Sequence, residues 1–310
     1  MSQPNQYAVI AIPIDQLIPF KEHVFKPYDE RRMATLLASV KESSIIHPIV
    51  VRRIKGKDYK FEIISGHNRV EAARLAGLTE VPAIVKELSD DEAVILANEA
   101  NIESRNFSSW LPSEKIKSIY QYHAAVKHQV SKKNAKTPSV GDNRQKSDDN
   151  YARQRTAAAY GQSNSRIRTY IELNRLIEPL LDKLDANEFG TTPASELSFI
   201  SKEGQSIINS VLNEDKKIYK VAVKHSKQLR SFFEDKVNES TIKEDGELIK
   251  VSVREILAEA NVNNVPADDT VKIPMPKDKY EEFFEDQKPE TIVDEVIEAL
   301  TFYKTQGGVI

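Results

Sequence analysis

Residues 63–85 read IISGHNRVEAARLAGLTEVPAIV. Ile63 and Ile64 close a β-type run. Ser65-Gly66-His67-Asn68-Arg69 then turns the chain, an Ala-rich helix follows, Gly77 stops it, and Val81–Val85 resumes strand character. Strand, turn, helix and strand in so short a stretch argue for a sheet covered by helices. The turn delivers the chain to a helix N-terminus, where free N–H groups and the positive dipole end favour an anion. Gly66 permits close approach, and Arg69 can pair with phosphate oxygens.

Working outward, residues 8–18 (AVIAIPIDQLI) read as a strand entering a turn. Residues 29–42 set Met33, Leu36, Leu37 and Val40 on one helical face. His47 to Val51 and Tyr59 to Ile64 read as strands of a hairpin, with Gly56 in its turn. Ser89 and Glu92 form a capping box for a helix over 90–103, and Ser113 is expected to cap a helix over 114–128 in the same way. The reading is an α/β or α+β domain over roughly residues 7–105, then helices. Residues 131–150 carry almost no apolar side chains and read as a mobile loop. Helical periodicity resumes at 151, with helices over 152–160, 165–175, 176–185, 193–200, 203–212 and 216–235. Beyond 240 the pattern weakens to a strand at 270–274 and helices at 277–285 and 290–304. The last of these carries an Ile292, Val296, Ile297 and Leu300 stripe suited to self-association. No internal repeat is visible.

Composition narrows the function. The chain has 310 residues, 29% charged, with net charge −3. It has no cysteine, which removes thiol catalysis, disulfides and cysteine-based zinc sites. A polar Met1–Tyr7 without an apolar signal core, together with the missing cysteines, points to the cytoplasm, and no run is apolar enough to span a membrane. The six histidines are scattered and form no metalloprotease-type pair. Charge is divided along the chain: eleven Lys and Arg outnumber the acids between 122 and 176, whereas nineteen Asp and Glu face nine cations between 231 and 310. The basic middle suits a polyanion and the acidic tail suits protein contacts.

Within the basic block, residues 153–173 read RQRTAAAYGQSNSRIRTYIEL. Ala157, Gly161 and Ile167 stand four and six apart. A small residue lets two helices approach, a Gly turns the chain at positive φ, and an apolar residue anchors the second helix. Ser163 or Asn164 caps that helix, and its first turn carries Ser165, Arg166, Arg168 and Thr169, side chains able to reach base edges in a major groove. Tyr170 and Leu173 recur with Ile167 on the buried face. A second polar cluster, Asn101-Ile102-Glu103-Ser104-Arg105, can contact a nucleotide or hydrated Mg²⁺.

Four stretches in this order resemble the ParB family of partition proteins, including its plasmid and mobile-element members: HPIVVR at 47–52, the 63–85 stretch, NIESRNFSSWLPSEKI at 101–116, and the helix-turn-helix followed by residues 172–201. The resemblance covers about residues 7–235. It implies a ParB/sulfiredoxin-like α+β nucleotide-binding domain over 1–106, an all-α DNA-binding domain over 107–236, and a small α/β or helical dimerisation region over 237–310. It further implies CTP with Mg²⁺, a palindromic double-stranded DNA site, a homodimer that closes as a clamp and slides, and a ParA-like ATPase partner at the nucleoid or on a plasmid. The implied nucleotide residues are His47, Ser65, Gly66, His67, Asn68, Arg69, Asn101 and Arg105, with Asn101 toward the metal. The implied DNA residues are Arg153, Arg155, Ser163, Asn164, Ser165, Arg166, Arg168, Thr169, Arg175, Thr191 and Thr192.

The chain departs from the family in its phosphate box. His67 and Asn68 stand where the family has Glu and Arg, and Ala100 stands where it has an acid. Asn101 and Arg105 are spaced one residue wider than in chromosomal members. The box glutamates are thus absent, leaving Glu99 and Glu103 as the nearby carboxylates, and the expectation is nucleotide binding with weak or no CTPase turnover. A sulfiredoxin-type enzyme needs a catalytic cysteine that this chain lacks. The competing reading is a helix-turn-helix transcription regulator of a mobile element with a non-catalytic N-domain.

Overall fold

The protein is represented by a computed structural model, in which residues 8–54, 56, 60–134, 142–214, 221–237 and 245–258 are described. They lie in the first of two units, Met1–Asn261.

Alternating apolar residues build five strands: β1 (Val9–Pro13), β2 (Leu17–Pro19), β3 (Ile49–Arg53), β4 (Phe61–Ser65) and β5 (Glu80–Val85). They form one mixed sheet in the order β1-β5-β3-β4-β2. The β3–β4 hairpin is antiparallel, as its sequence suggests, with a bulge between Val50 and Val51. β5 joins β3 in parallel and β1 antiparallel. Period-two alternation splits β4 between two cores. Ile63 packs with Ile49, Val51, Val40 and Val70, beneath α1 (Glu30–Ser43) and α2 (His67–Leu75). Ile64 points the other way, into a larger core with Ala93, Ala97 and Ile116. That core begins at α3 (Asp90–Ser104) and continues through the helices that follow. The Ser89–Glu92 capping box is formed in both directions.

Those helices are α4 (Pro112–Asn134), α5 (Asp142–Tyr160), α6 (Asn164–Leu173), α7 (Glu178–Asp185), α8 (Thr191–Leu197), α9 (Lys202–Glu214), α10 (Val223–Lys236) and α11 (Gly246–Ala258). Three expectations are corrected. Ser113 does not cap α4: it lies inside the first turn, and its hydroxyl and backbone N–H both donate to Asp185. Glu114 instead accepts from the Leu111 N–H, half of a capping box shifted by two residues. The loop expected over 131–150 is helical at both ends, as α4 runs to Asn134 and α5 starts at Asp142. What holds these ends is polar: Asp148 accepts from Ser131 and Asn134, and Asp149 pairs with Lys127 and Arg153. Finally, α11 was not expected, and it buries Ile249, Val253 and Leu257. The strand at 270–274 and the helices at 277–285 and 290–304 lie outside the described residues. Among the described residues no helix is long and apolar enough to cross a membrane.

Candidate DNA-reading helix and nucleotide pocket

The stretch expected to form a helix-turn-helix folds as the α5–α6 helix pair. Gly161 takes φ +59°, and two hydrogen bonds close the turn, from the Gly161 N–H to Ala158 O and from the Gln162 N–H to Ala157 O. This is the left-handed helix stop that glycine allows at low cost. Ser163 caps α6, its hydroxyl accepting from the Arg166 N–H. Ile167, Tyr170 and Leu173 are buried, leaving Asn164, Ser165, Arg166 and Arg168 exposed.

The first turns of α6 and α8 share a groove. Ser163, Ser165, Arg166, Thr169, Thr191, Thr192 and Ser195 line it, an arrangement of hydroxyls around one guanidinium. The other residues expected to face DNA are outside that lining. Arg168 pairs with Glu172, Arg153 pairs with Asp149, and Arg155 lies beside Tyr122. Arg175 stacks over Phe199. Ser195 is the groove residue that sequence reasoning missed, because only the helix pairing brings it to α6.

The second site forms where β4 gives way to α2. Gly66 takes φ +106°, and a Cβ there would sit 2.7 Å from Ile49 Cγ2 and 3.2 Å from Arg69 Nε. Ile49 and Arg69 thus pack directly against the turn and leave no room for a side chain at position 66. A cavity of about 240 Å³ opens above it, lined by His23, Tyr28, Leu36, Ser65, Gly66, His67, Asn68, Arg69, Ala100, Asn101, Ser104 and Arg105. Seven of the eight residues expected to hold nucleotide converge here. The eighth, His47, lies behind them, and its carbonyl accepts from Arg69, as does that of Pro48. Burial pulls the Arg69 pKa below its ordinary value. Arg105 brings a second guanidinium, over the rings of Phe25 and Tyr28.

His67 and Asn68 have a further role. A strap, residues 20–28, crosses the pocket and is pinned by side chains accepting from its amides. His67 Nε2 takes the Phe20 N–H at 3.3 Å and Asn68 Oδ1 takes the Tyr28 N–H at 3.1 Å. Glu62 takes the Lys21 N–H and Glu114 the Lys26 N–H. His23, carried on the strap, stacks on His67 with ring centroids 3.7 Å apart. Burial drives both imidazoles down, His23 to about 4 with help from the Arg105 charge and His67 to about 3 with help from His23. Both are neutral at pH 7. His23 and Tyr28 were missed in the sequence, since nothing local marks residues some forty positions from the Gly66 turn as its neighbours.

The donor set suits a polyphosphate: the cavity above the Gly66 turn, the α2 N-terminus and two guanidinium groups. It does not suit a protein-held Mg²⁺, which normally takes one or two carboxylates. None of the residues lining the cavity is acidic. Glu99 accepts from the Tyr122 hydroxyl, and Glu103 is exposed outside the lining. Asn101 donates its amide to Ala97 O, leaving its Oδ1 as a neutral ligand.

Residues 2–102 match the family model of the ParB N-terminal domain. A probable plasmid-partitioning protein ParB of Deinococcus radiodurans is 38% identical over 95 residues, which are 31% of this chain and 32% of that protein. A nucleoid occlusion protein of Halalkalibacterium halodurans is 26% identical over 140 residues, 45% of this chain and 48% of its own length. The match thus spans a third to a half of these relatives. C-terminally truncated ParB from Caulobacter crescentus has been solved on the centromeric parS site and with CTP-gamma-S. The two structures overlay with TM-scores of 0.36 and 0.30 at 17% and 18% identity, covering 71% and 66% of this chain and 98% and 97% of those chains. The likeness rests on the sequence match, which contains β1–β5, the Gly66 turn and most of α3. Over residues 2–102, this chain is similar to the ParB N-terminal domain family.

Proposed function

We propose that this chain is a ParB-type partition protein that binds a palindromic double-stranded DNA site as a homodimer and reads bases with the first turn of α6. In this reading the N-domain pocket holds CTP, which gates a clamp around DNA. One observation carries the DNA assignment: a glycine-turned helix pair presents Arg166 beside Ser165, Thr169, Thr191 and Thr192 in one exposed groove. Arg read against guanine, with hydroxyls on flanking bases or phosphates, is the chemistry of major-groove recognition.

The cavity lined by Gly66, Arg69 and Arg105 supports a nucleoside triphosphate. The choice of CTP, like the ParA-type ATPase partner and the location at nucleoid or plasmid, rests on the family resemblance. Mg²⁺ would come with the triphosphate as its counter-ion rather than be held by the protein, whose lining offers the neutral Asn101 Oδ1 but no carboxylate. Because the lining has no carboxylate, turnover is slow or absent. A second reading, a transcription regulator whose N-domain is a scaffold, draws support from one feature: His67 and Asn68 spend their acceptor atoms on the strap.

The test is an Arg166→Ala variant assayed on a palindrome selected from a random duplex library. The expected loss is about 1–3 kcal/mol of specific binding, with base preference relaxed at one position of each half-site. Unchanged affinity and preference would remove α6 from the interface.

A further inference from the structure

Lys115 lies outside the helix-turn-helix, on the first turn of α4, half-buried. Its ammonium sits 5.4 Å from the Phe107 ring and donates to the Ser108 carbonyl at 3.2 Å. Phe107 meets Tyr170 of α6 edge-on at 6.5 Å, and Arg166 stands 6.0 Å over Tyr170. Two cations therefore flank one pair of rings. Neither has an ion-pair partner among the described residues. Nearby cations do: Arg168 has Glu172, Arg153 has Asp149 and Lys117 has Glu178. Burial, and then the Arg166 charge, lower the Lys115 pKa, and the Glu114 charge offsets them only in part.

We infer that Lys115 and Arg166 form a two-cation seat for one backbone phosphodiester of duplex DNA, with Lys115 contacting phosphate alone. The seat deepens the proposal that α6 enters the DNA. It adds a contact from α4 that fixes the angle at which α6 enters, since phosphate contacts set register and orientation. Phe107 and Tyr170 link the two charges through their ring contacts.

The full chain is titrated across a salt series with two duplexes, one of mixed sequence and one carrying the selected palindrome. The variants are Lys115→Gln, Lys115→Met, which keeps the apolar stem over Phe107, Lys115→Arg, and Arg166→Ala. Lys115→Gln and Lys115→Met should lose the same factor on both duplexes and flatten the salt slope by about 1, with base preference intact. Lys115→Arg should restore both. Wild-type affinity and slope in the first two variants, with Arg166→Ala still weakened, overturns the seat and leaves the α6 reading standing. A loss confined to the palindrome also overturns it, since Lys115 would then read a base. If Arg166→Ala binds like wild type as well, the α6 reading falls together with the seat.

Discussion

Gly66 is the residue on which the pocket depends. At φ +106° with Ile49 Cγ2 2.7 Å from any added Cβ, an L side chain is both strained and crowded. Gly66→Ala should cost about 1–3 kcal/mol of stability and remove triphosphate binding, read by chemical melts and calorimetry on the same sample. Retained binding would place the phosphates elsewhere. The stacked pair His23 and His67 sets a pH dependence. Unfolded imidazoles take up protons as pH falls through about 6.5. In the fold these two stay neutral down to about 4 and about 3. Over that window the unfolded chain binds more protons, so the stabilisation is complete above pH 6.5 and drains away as pH falls toward 4. The melting temperature should drop between pH 7 and 4.5, and His67→Gln, whose amide oxygen can still accept the Phe20 N–H, should flatten that drop. Parallel curves for the two proteins would remove His67 from the effect. Gly66 and Arg69 were legible in sequence because a Gly and an Arg before a helix state their own chemistry. His23 was not, because its role comes from the strap that lays it on His67.

At the scale of elements, the α5–α6 turn was read in outline from three residues. Ala157, Gly161 and Ile167 do what their spacing implies: the Ala157 carbonyl closes the turn, Gly161 takes positive φ, and Ile167 is fully buried. Ile167→Ala should therefore cost about 2–5 kcal/mol, depending on how far the site collapses. A loss well under 1 kcal/mol in equilibrium denaturation would show that α6 is not docked as described. The start of α5 was illegible for a physical reason. Apolar periodicity finds helices that bury an apolar stripe, but residues 142–150 are tied to α4 by Asp148 and Asp149. Ser113 misled for a related reason. It has the chemistry of a cap, but its partner, Asp185, lies 72 residues away on α7.

For the whole molecule, two sites of different chemistry sit on one chain: a neutral-to-cationic pocket over the sheet and a hydroxyl-and-guanidinium groove on the helices. The element α3 spans between them, lending Asn101 and Arg105 to the pocket and burying Ala93 and Ala97 in the helical core. Its neighbour Asn98 accepts from Ser118, which in turn bonds Tyr160, the residue before the Gly161 turn. The division of charge along the sequence puts an excess of cations on the stretch that holds α5 and α6, a feature read directly from composition. The dimer expected from residues 290–304 lies outside the described residues; the proposed palindromic site calls for it, because a two-fold site asks for a two-fold protein. A nucleotide-gated clamp and a simple regulator differ most in how long they stay on DNA that has no free end. The deciding measurement is residence time on a palindrome-bearing duplex blocked at both ends, with and without CTP and Mg²⁺. The account predicts that CTP prolongs residence after a high-salt wash on the blocked duplex and not on an open one. Equal residence under all four conditions would contradict it and leave a DNA-binding regulator with a structural N-domain.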